Sequence, residues 1–275
     1  MLLQRVLTVA VVLPLMLAAL WFLPNLFWGC LLLAGLIIAA REWARLSGHT
    51  RPMCLLYSGL LGAAGAAILW WQYAGPDRVE FALSPAGKAL YGASVAFWLG
   101  IAPTWLWQRW RVHDRWILSV VGAIVLLSFW HALVWLQSWP LRLLLALSVV
   151  WVADTAAYFV GRRFGRNKLA PEISPGKTWE GVWGALVAVS VYWVIVFLLL
   201  REAPVNLLSG LILVLLLTSL SIVGDLFESW IKRIAGVKDS GSLLPGHGGL
   251  LDRIDSLAAV TPLAALYFGF PLWGG

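Results

Sequence analysis

Nine apolar runs, most of them close to the roughly 20 residues a helix needs to cross a bilayer, constrain every other reading of this 275-residue chain. They fall at about 6–23, 26–40, 54–74, 89–107, 116–137, 141–160, 182–200, 205–223 and 256–273. With that much of the length in spans, no separate water-soluble domain of ordinary size fits. Inside a bilayer, backbone polar groups must be paired within the segment, so the runs predict an all-α polytopic membrane protein of about nine helices. Composition agrees, with 61% hydrophobic and 12% charged residues where soluble domains carry about a quarter charged. The first run follows Arg5 but has no small-residue cleavage site before the next span, so it reads as a retained helix rather than a signal peptide.

Lys and Arg number 20 against 13 Asp and Glu, a formal charge of +7. In a soluble chain that excess would suit nucleic acid; here it first has to be set against topology. With the N-terminus inside, 16 basic residues lie in inner segments and only Arg78, Lys88, Arg142 and Arg201 fall outside. The excess is therefore read as orientation, N-in and C-out, with no nucleic-acid partner. The 19 Trp residues are read as interfacial anchors rather than stacking platforms for bases. Cys30 and Cys54 lie in or beside apolar runs with no metal or redox spacing. The chain divides into N-terminal transmembrane helices over 1–140 and a C-terminal region over 141–275 whose long polar segments, 161–181 and 224–255, share the cytoplasmic side. With no targeting peptide or retention motif in view, a bacterial inner membrane is the expected location.

Those two segments hold nearly all the residues capable of chemistry. Ser229 to Asp255 reads SWIKRIAGVKDSGSLLPGHGGLLDRID. Charges at a membrane surface must be solvated, paired or bound to something. Lys232, Arg233, Lys238 and Arg253 are donors suited to phosphate oxygens. Asp225, Glu228, Asp239, Asp252 and Asp255 offer hard oxygen ligands of the kind magnesium takes together with substrate phosphates. Asp252 and Asp255 stand at i and i+3, on one helix face, and Asp225 and Glu228 repeat the spacing on the preceding span. The expectation is that the two pairs converge on one cation site. The Gly-rich stretch with Gly248 and Gly249 could expose backbone N–H groups as an anion-binding concavity, with His247 as a proton donor or a loop brace.

The upstream segment, Asp154 to Gly181, reads DTAAYFVGRRFGRNKLAPEISPGKTWEG. Asp154 lies inside an apolar span, where a carboxylate is costly and a functional candidate; the alternative is hydrogen bonding through Thr155 or Tyr158. Lys168, Ser174, Lys177 and Thr178 present ammonium and hydroxyl groups in a turn-like setting. The turn is not a Walker A motif, because position 171 is Pro171 rather than Gly. His131 is read as structural, and His49 and His113 as surface residues.

Taken together, these residues resemble the phosphatidate cytidylyltransferase (CDP-diacylglycerol synthase) family. Ser-x-x-Lys-Arg from Ser229, Lys238-Asp239, and Pro-x-His-Gly-Gly-x-x-Asp-Arg-x-Asp from Pro245 fit that signature without departure. GDLFES from Gly224, the run from Asp154, and ISPGKTWEG from Ile173 are also similar to it. The resemblance covers about 154–255; the first five spans share only hydropathy with the family. It implies transfer of the cytidylyl group of CTP to phosphatidic acid, releasing pyrophosphate, at a cytoplasm-facing site. It further implies a cation at Asp225 and Asp252, with Asp255, Glu228 and Asp239 as secondary ligands or orienters. Mg2+ is the expected cofactor, as one or two hard cations, of which a second could be monovalent. Lys232, Arg233, Lys238 and Arg253 would cradle phosphates, His247, Gly248 and Gly249 would shape the loop, and Lys168, Ser174, Lys177 and Thr178 would approach from the other segment. The expected partners are CTP, phosphatidic acid and the lipid bilayer, with a homodimer as the default assembly. Two alternatives remain at this stage: a CTP-using enzyme with an isoprenoid-linked or other lipid acceptor, and an ion or phosphate transporter.

Overall fold

The computed structural model describes residues 14–74, 80–200, 206–242 and 248–269. After a helical stretch at 14–22 come eight long helices: α1 (Asn25–Leu46), α2 (Arg51–Ala74), α3 (Pro85–Gln108), α4 (Arg115–Leu136), α5 (Pro140–Phe164), α6 (Trp179–Leu199), α7 (Leu207–Ile234) and α8 (Leu251–Gly269). Between α5 and α6 sits a small antiparallel hairpin, β1 (Lys168–Ala170) and β2 (Ser174–Thr178). The protein is thus an all-α multi-span bundle with one hairpin at its edge. Helices α1 to α7 are each long and apolar enough to cross a membrane. The first of the nine predicted runs lies outside the described residues up to residue 13 and is helical over 14–22, and the last is α8.

Local signals set the helix starts. Asp114 accepts hydrogen bonds from the N–H groups of Trp116 and Ile117 and starts α4. Ser84, Thr178 and Asn206 do the same for α3, α6 and α7, each accepting from a backbone N–H three residues on. In α3 the turn at Phe97–Ile101 widens to a π-helix just before Pro103. Pro103 has no N–H and its ring crowds the carbonyl four residues back, within that turn.

Helix α8 carries Asp252, Arg253 and Asp255 in its first turns, yet it is the central helix, touching α1, α3, α4, α5 and α7. Protein surrounds Asp252 and Asp255, while Arg253 is exposed. It packs tightly against α7 at Gly224, where a Cβ would sit 2.6 Å from the Asp255 carbonyl oxygen. Any larger residue would push the two charged helices apart. Helix α6 is peripheral, with Leu198 at 73% exposure as a lipid-facing helix allows. Because the helices alternate in direction, the end of the bundle with the α1 and α7 C-termini also holds the hairpin and the start of α8. Among the described residues every Lys and Arg except Lys88 and Arg142 belongs to that end.

Candidate active site

Two charge clusters occupy this end. In the first, Lys232 Nζ lies 2.5 Å from Glu228 Oε2, one turn back on α7, and 2.5 Å from Asp252 Oδ1 on α8. The three side chains are 11%, 5% and 7% exposed. The other Asp252 oxygen accepts from the N–H and hydroxyl of Ser240, at 2.9 and 3.0 Å, and from Gly249 N–H at 2.8 Å. Asp252 is thus held at both oxygens. Glu228 is not: its oxygens are buried and accept no aligned hydrogen bond, although Lys232 is in ion-pair range.

The second cluster centres on Asp225. Lys177 on β2 places Nζ 2.7 Å from Asp225 Oδ2, and Ser229 Oγ donates to Oδ1 at 3.3 Å. Asp154 from α5 and Asp255 from α8 both lie within electrostatic reach of Asp225 and Lys177. Lys232, shared with Glu228 and Asp252, is also within reach of Asp255, so five carboxylates against two ammoniums leave an excess of negative charge. Among the described residues no three His, Cys, Asp or Glu side chains form a ready metal cage. Magnesium needs less: one or two carboxylates plus substrate phosphates suffice. The partnerless, buried Glu228 Oε1 and the carboxylate excess at Asp225 fit such a cation.

The residues singled out from the sequence do gather here. The two i, i+3 pairs face each other, with Asp255 within electrostatic reach of both Asp225 and Glu228. Because α7 and α8 run antiparallel, Asp225 comes near Asp255 while Glu228 and Asp252 meet at Lys232. Lys177 does arrive from the other polar segment, against Asp225. Arg233 donates from Nε to the Ile173 carbonyl at 3.3 Å, tying α7 to the hairpin. Thr178 is buried, and its hydroxyl caps α6 by accepting from Gly181 N–H. Ser174 is half-buried on β2, and Lys168, Lys238 and Asp239 are exposed. Segment 224–255, expected as one polar loop, is helical to Ile234 and again from Leu251. His247 lies outside the described residues. Asp154 does not bond to Tyr158, whose hydroxyl accepts from Arg162 at 2.9 Å. His131 is structural as expected, fully buried against the Tyr91 hydroxyl, and both cysteines are free.

Of the Gly-rich stretch, Gly248 and Gly249 are among the described residues, and the N–H groups from Gly249 to Leu251 meet protein carboxylates. Gly249 N–H goes to Asp252, while the N–H groups of Leu250 and Leu251 go to Glu42 on α1, at 3.1 and 2.9 Å. Sequence reading missed Glu42. A signal was available, since Glu42 is the first acid in the chain and none follows before Asp77.

One face of α8 borders an apolar cavity of about 460 Å³, lined by residues such as Trp28, Leu36, Phe129, Leu143 and Leu257. Arg253, beside Asp252 in sequence, is the one charged residue among the described residues that line it.

Fold and site together define a multi-span membrane protein that concentrates paired and surplus carboxylates, with lysines, in two adjoining charge clusters at one end of its bundle, the pocket of the proposed reaction. A family model described as the cytidylyltransferase family matches residues 3–270, and the chain belongs to that family. It is 39% identical over 294 residues to a phosphatidate cytidylyltransferase of Pseudomonas aeruginosa, covering 100% of this chain and 99% of that protein. A protein of the same name from Haemophilus influenzae is 34% identical over 99% of this chain and 100% of its own length. The Bacillus subtilis protein of that name is 46% identical over 123 residues, 45% of each chain.

Proposed function

We propose that this protein transfers the cytidylyl group of CTP to phosphatidic acid, giving CDP-diacylglycerol and pyrophosphate. The observation that carries this reading is the pocket of Asp225, Glu228, Lys232, Asp252 and Lys177 in a chain similar over its full length to phosphatidate cytidylyltransferases. In the reaction an oxygen of the lipid phosphate monoester forms a bond to the α-phosphorus of CTP. The bond from that phosphorus to the oxygen bridging the α- and β-phosphates breaks, and pyrophosphate leaves with the electron pair. The nucleophile is already anionic near neutral pH, so a strong base is not required. The barrier is electrostatic, an anion approaching a more negative triphosphate, and positioning and charge stabilisation lower it.

Lys177, Lys232, Arg233 and Lys238 would supply that stabilisation, and Asp225, Glu228, Asp252 and Asp255 would hold Mg2+. The cation would offset triphosphate charge and stabilise the leaving pyrophosphate. The lipid would enter from the side, its phosphate near Arg253 and an acyl chain in the apolar cavity. About nine spans, N-in and C-out, would place the pocket at the cytoplasmic face of a bacterial inner membrane, which the crowding of Lys and Arg at that end supports. A homodimer is the proposed assembly.

The test is a magnesium-dependent assay of the purified full-length protein with labelled CTP and phosphatidic acid, with ATP and an isoprenoid phosphate as competitors. CDP-diacylglycerol and pyrophosphate formed from CTP and phosphatidate alone are the expected products. CTP consumed only with the isoprenoid phosphate would replace the acceptor, and no CTP consumption at all would refute the reading.

A further inference from the structure

We propose that Glu42, in the N-terminal half and outside every motif of the pocket, is a positioning residue that sets Asp252 and the start of α8 for the transfer reaction. This inference rests on the function proposed above. Glu42 is 8% exposed. One carboxylate oxygen accepts from Leu250 N–H at 3.1 Å, and the other from Leu251 N–H at 2.9 Å and from the Ser240 hydroxyl at 3.0 Å. Two of the N–H groups that would otherwise be left open at the start of α8 are therefore satisfied by a side chain some 200 residues away. A negative charge at that end also suits the helix dipole.

Ser240 links Glu42 to the pocket. Its N–H and hydroxyl both reach Asp252 Oδ2, its hydroxyl also reaches Glu42, and its carbonyl accepts from Arg45, one turn beyond Glu42 on α1. A hydroxyl has one proton to give, so the two carboxylates share it and their positions depend on each other. The surrounding chain leaves room for a carboxylate and little more. A Cβ at Gly241 would lie 2.3 Å from Glu42 Oε1, and one at Gly249 would lie 2.6 Å from Oε2 and 2.1 Å from Ser240 Oγ. Glycine at these two positions is required by the close approach of α1's carboxylate. Helix α8 starts where Glu42 ends its open N–H groups, and that start fixes which residues of α8 face Lys232 and Asp225.

The decisive variants are Glu42→Gln, which keeps the shape and removes the charge, Glu42→Asp, which keeps the charge on a shorter stem, and Ser240→Ala, which removes the link. In the full-length protein Glu42→Gln is expected to lower kcat about tenfold or more, with KM for CTP and phosphatidate within about threefold, because misplacement of a reacting group acts on the chemical step. Glu42→Asp should recover part of that loss. Combined with Ser240→Ala, the Gln variant should cost less than the sum of the two single losses, as residues acting through one another do. Wild-type kcat in Glu42→Gln, strict additivity with Ser240→Ala, or a fall in thermal stability alone would overturn the proposal. If Glu42→Gln does not fold, Ser240→Ala decides: the same kcat-selective loss supports the proposal and wild-type kcat overturns it. Hydrogen exchange separates this inference from the proposed reaction. Glu42→Gln should speed exchange at the Leu250 and Leu251 amides whether or not the wild-type protein makes CDP-diacylglycerol, and unchanged exchange overturns the positioning role.

Discussion

The two ends of the bundle both bury polar side chains, and they treat them in opposite ways. At the end away from the pocket, the Tyr91 hydroxyl meets His131 Nδ1 at 2.7 Å, His131 Nε2 meets Gln72 at 3.4 Å, and Trp135 donates to Glu80 at 2.9 Å. Asn25 donates to Gln137 at 2.7 Å, Gln137 donates to the Leu23 carbonyl at 2.8 Å, and the Tyr73 hydroxyl donates to Asn25. Most of these groups are neutral, and they pair with one another. At the pocket end the groups are charged and the pairing is incomplete: Glu228 accepts no aligned hydrogen bond, and Lys177 and Lys232 are outnumbered by Asp154, Asp225, Glu228, Asp252 and Asp255. A satisfied polar network holds helices together; surplus buried charge is costly unless a ligand compensates it. That contrast separates a structural end from a chemical one more sharply than motif matching does.

The largest expected effect tests the chemical end. Asp225→Asn and Asp252→Asn each keep side-chain volume and remove a charge, and each should lower turnover at least about 100-fold, as loss of a key electrostatic group does, with thermal stability little changed in Asp225→Asn and lowered in Asp252→Asn, which breaks the buried pair with Lys232. Near-normal turnover with unchanged magnesium dependence would make the surplus charge as inert as the far-end network. Lys232→Met comes next. It leaves Glu228 and Asp252 facing each other with no cation between them, and breaking a buried pair costs about 3 to 5 kcal/mol. Thermal unfolding should show that loss alongside loss of activity. Adding Glu228→Gln should restore much of the stability and none of the activity. If activity returns too, Lys232 is a structural counter-ion.

The far end should respond the other way. His131→Phe removes the partner of a fully buried Tyr91 hydroxyl, and an unsatisfied buried donor costs about 1 to 3 kcal/mol. Unfolding should register that cost while kcat and both KM values stay at wild type. A change in kcat would show that the two ends are coupled and would break the contrast.

How much of this was legible in the sequence follows the same division. Helix existence was written in the apolar runs, because in a bilayer only segment-internal pairing is available. Helix ends were less so: the run expected at 26–40 continues to Leu46, and the one at 141–160 to Phe164, since a helix need not stop where the charges begin. The hairpin was hidden, for SPGKT places Pro175 and Gly176 in β2, against strand propensity. Asn167, donating to Glu180 through both its N–H and its side chain, ties the hairpin to α6. In the site, spacing showed which carboxylates share a helix face, while the antiparallel register of α7 and α8 decided which partners they meet. Glu42 was out of reach of any local pattern, because its partners lie 198 to 209 residues away.

The smallest expected effect concerns Arg109, which holds a left-handed backbone conformation at φ 53 and pairs with Glu172 at 2.7 Å, the side chains being 59% and 55% exposed. The pair joins the segment after α3 to the hairpin that carries Lys177. Exposed ion pairs contribute about 0 to 1 kcal/mol, so Glu172→Gln should shift stability within that range and leave turnover unchanged, even though the pair lies at the chemical end. The hairpin has firmer ties in the Arg233 bond to the Ile173 carbonyl and the Lys177 pair with Asp225, and these should hold Lys177 in place. Raising the salt concentration should erase whatever shift Glu172→Gln produces, because exposed charges are screened. A salt-resistant loss of turnover in Glu172→Gln would instead make this surface pair part of the pocket, and would move the boundary between structural and chemical groups outward from Asp225 to the rim of the hairpin.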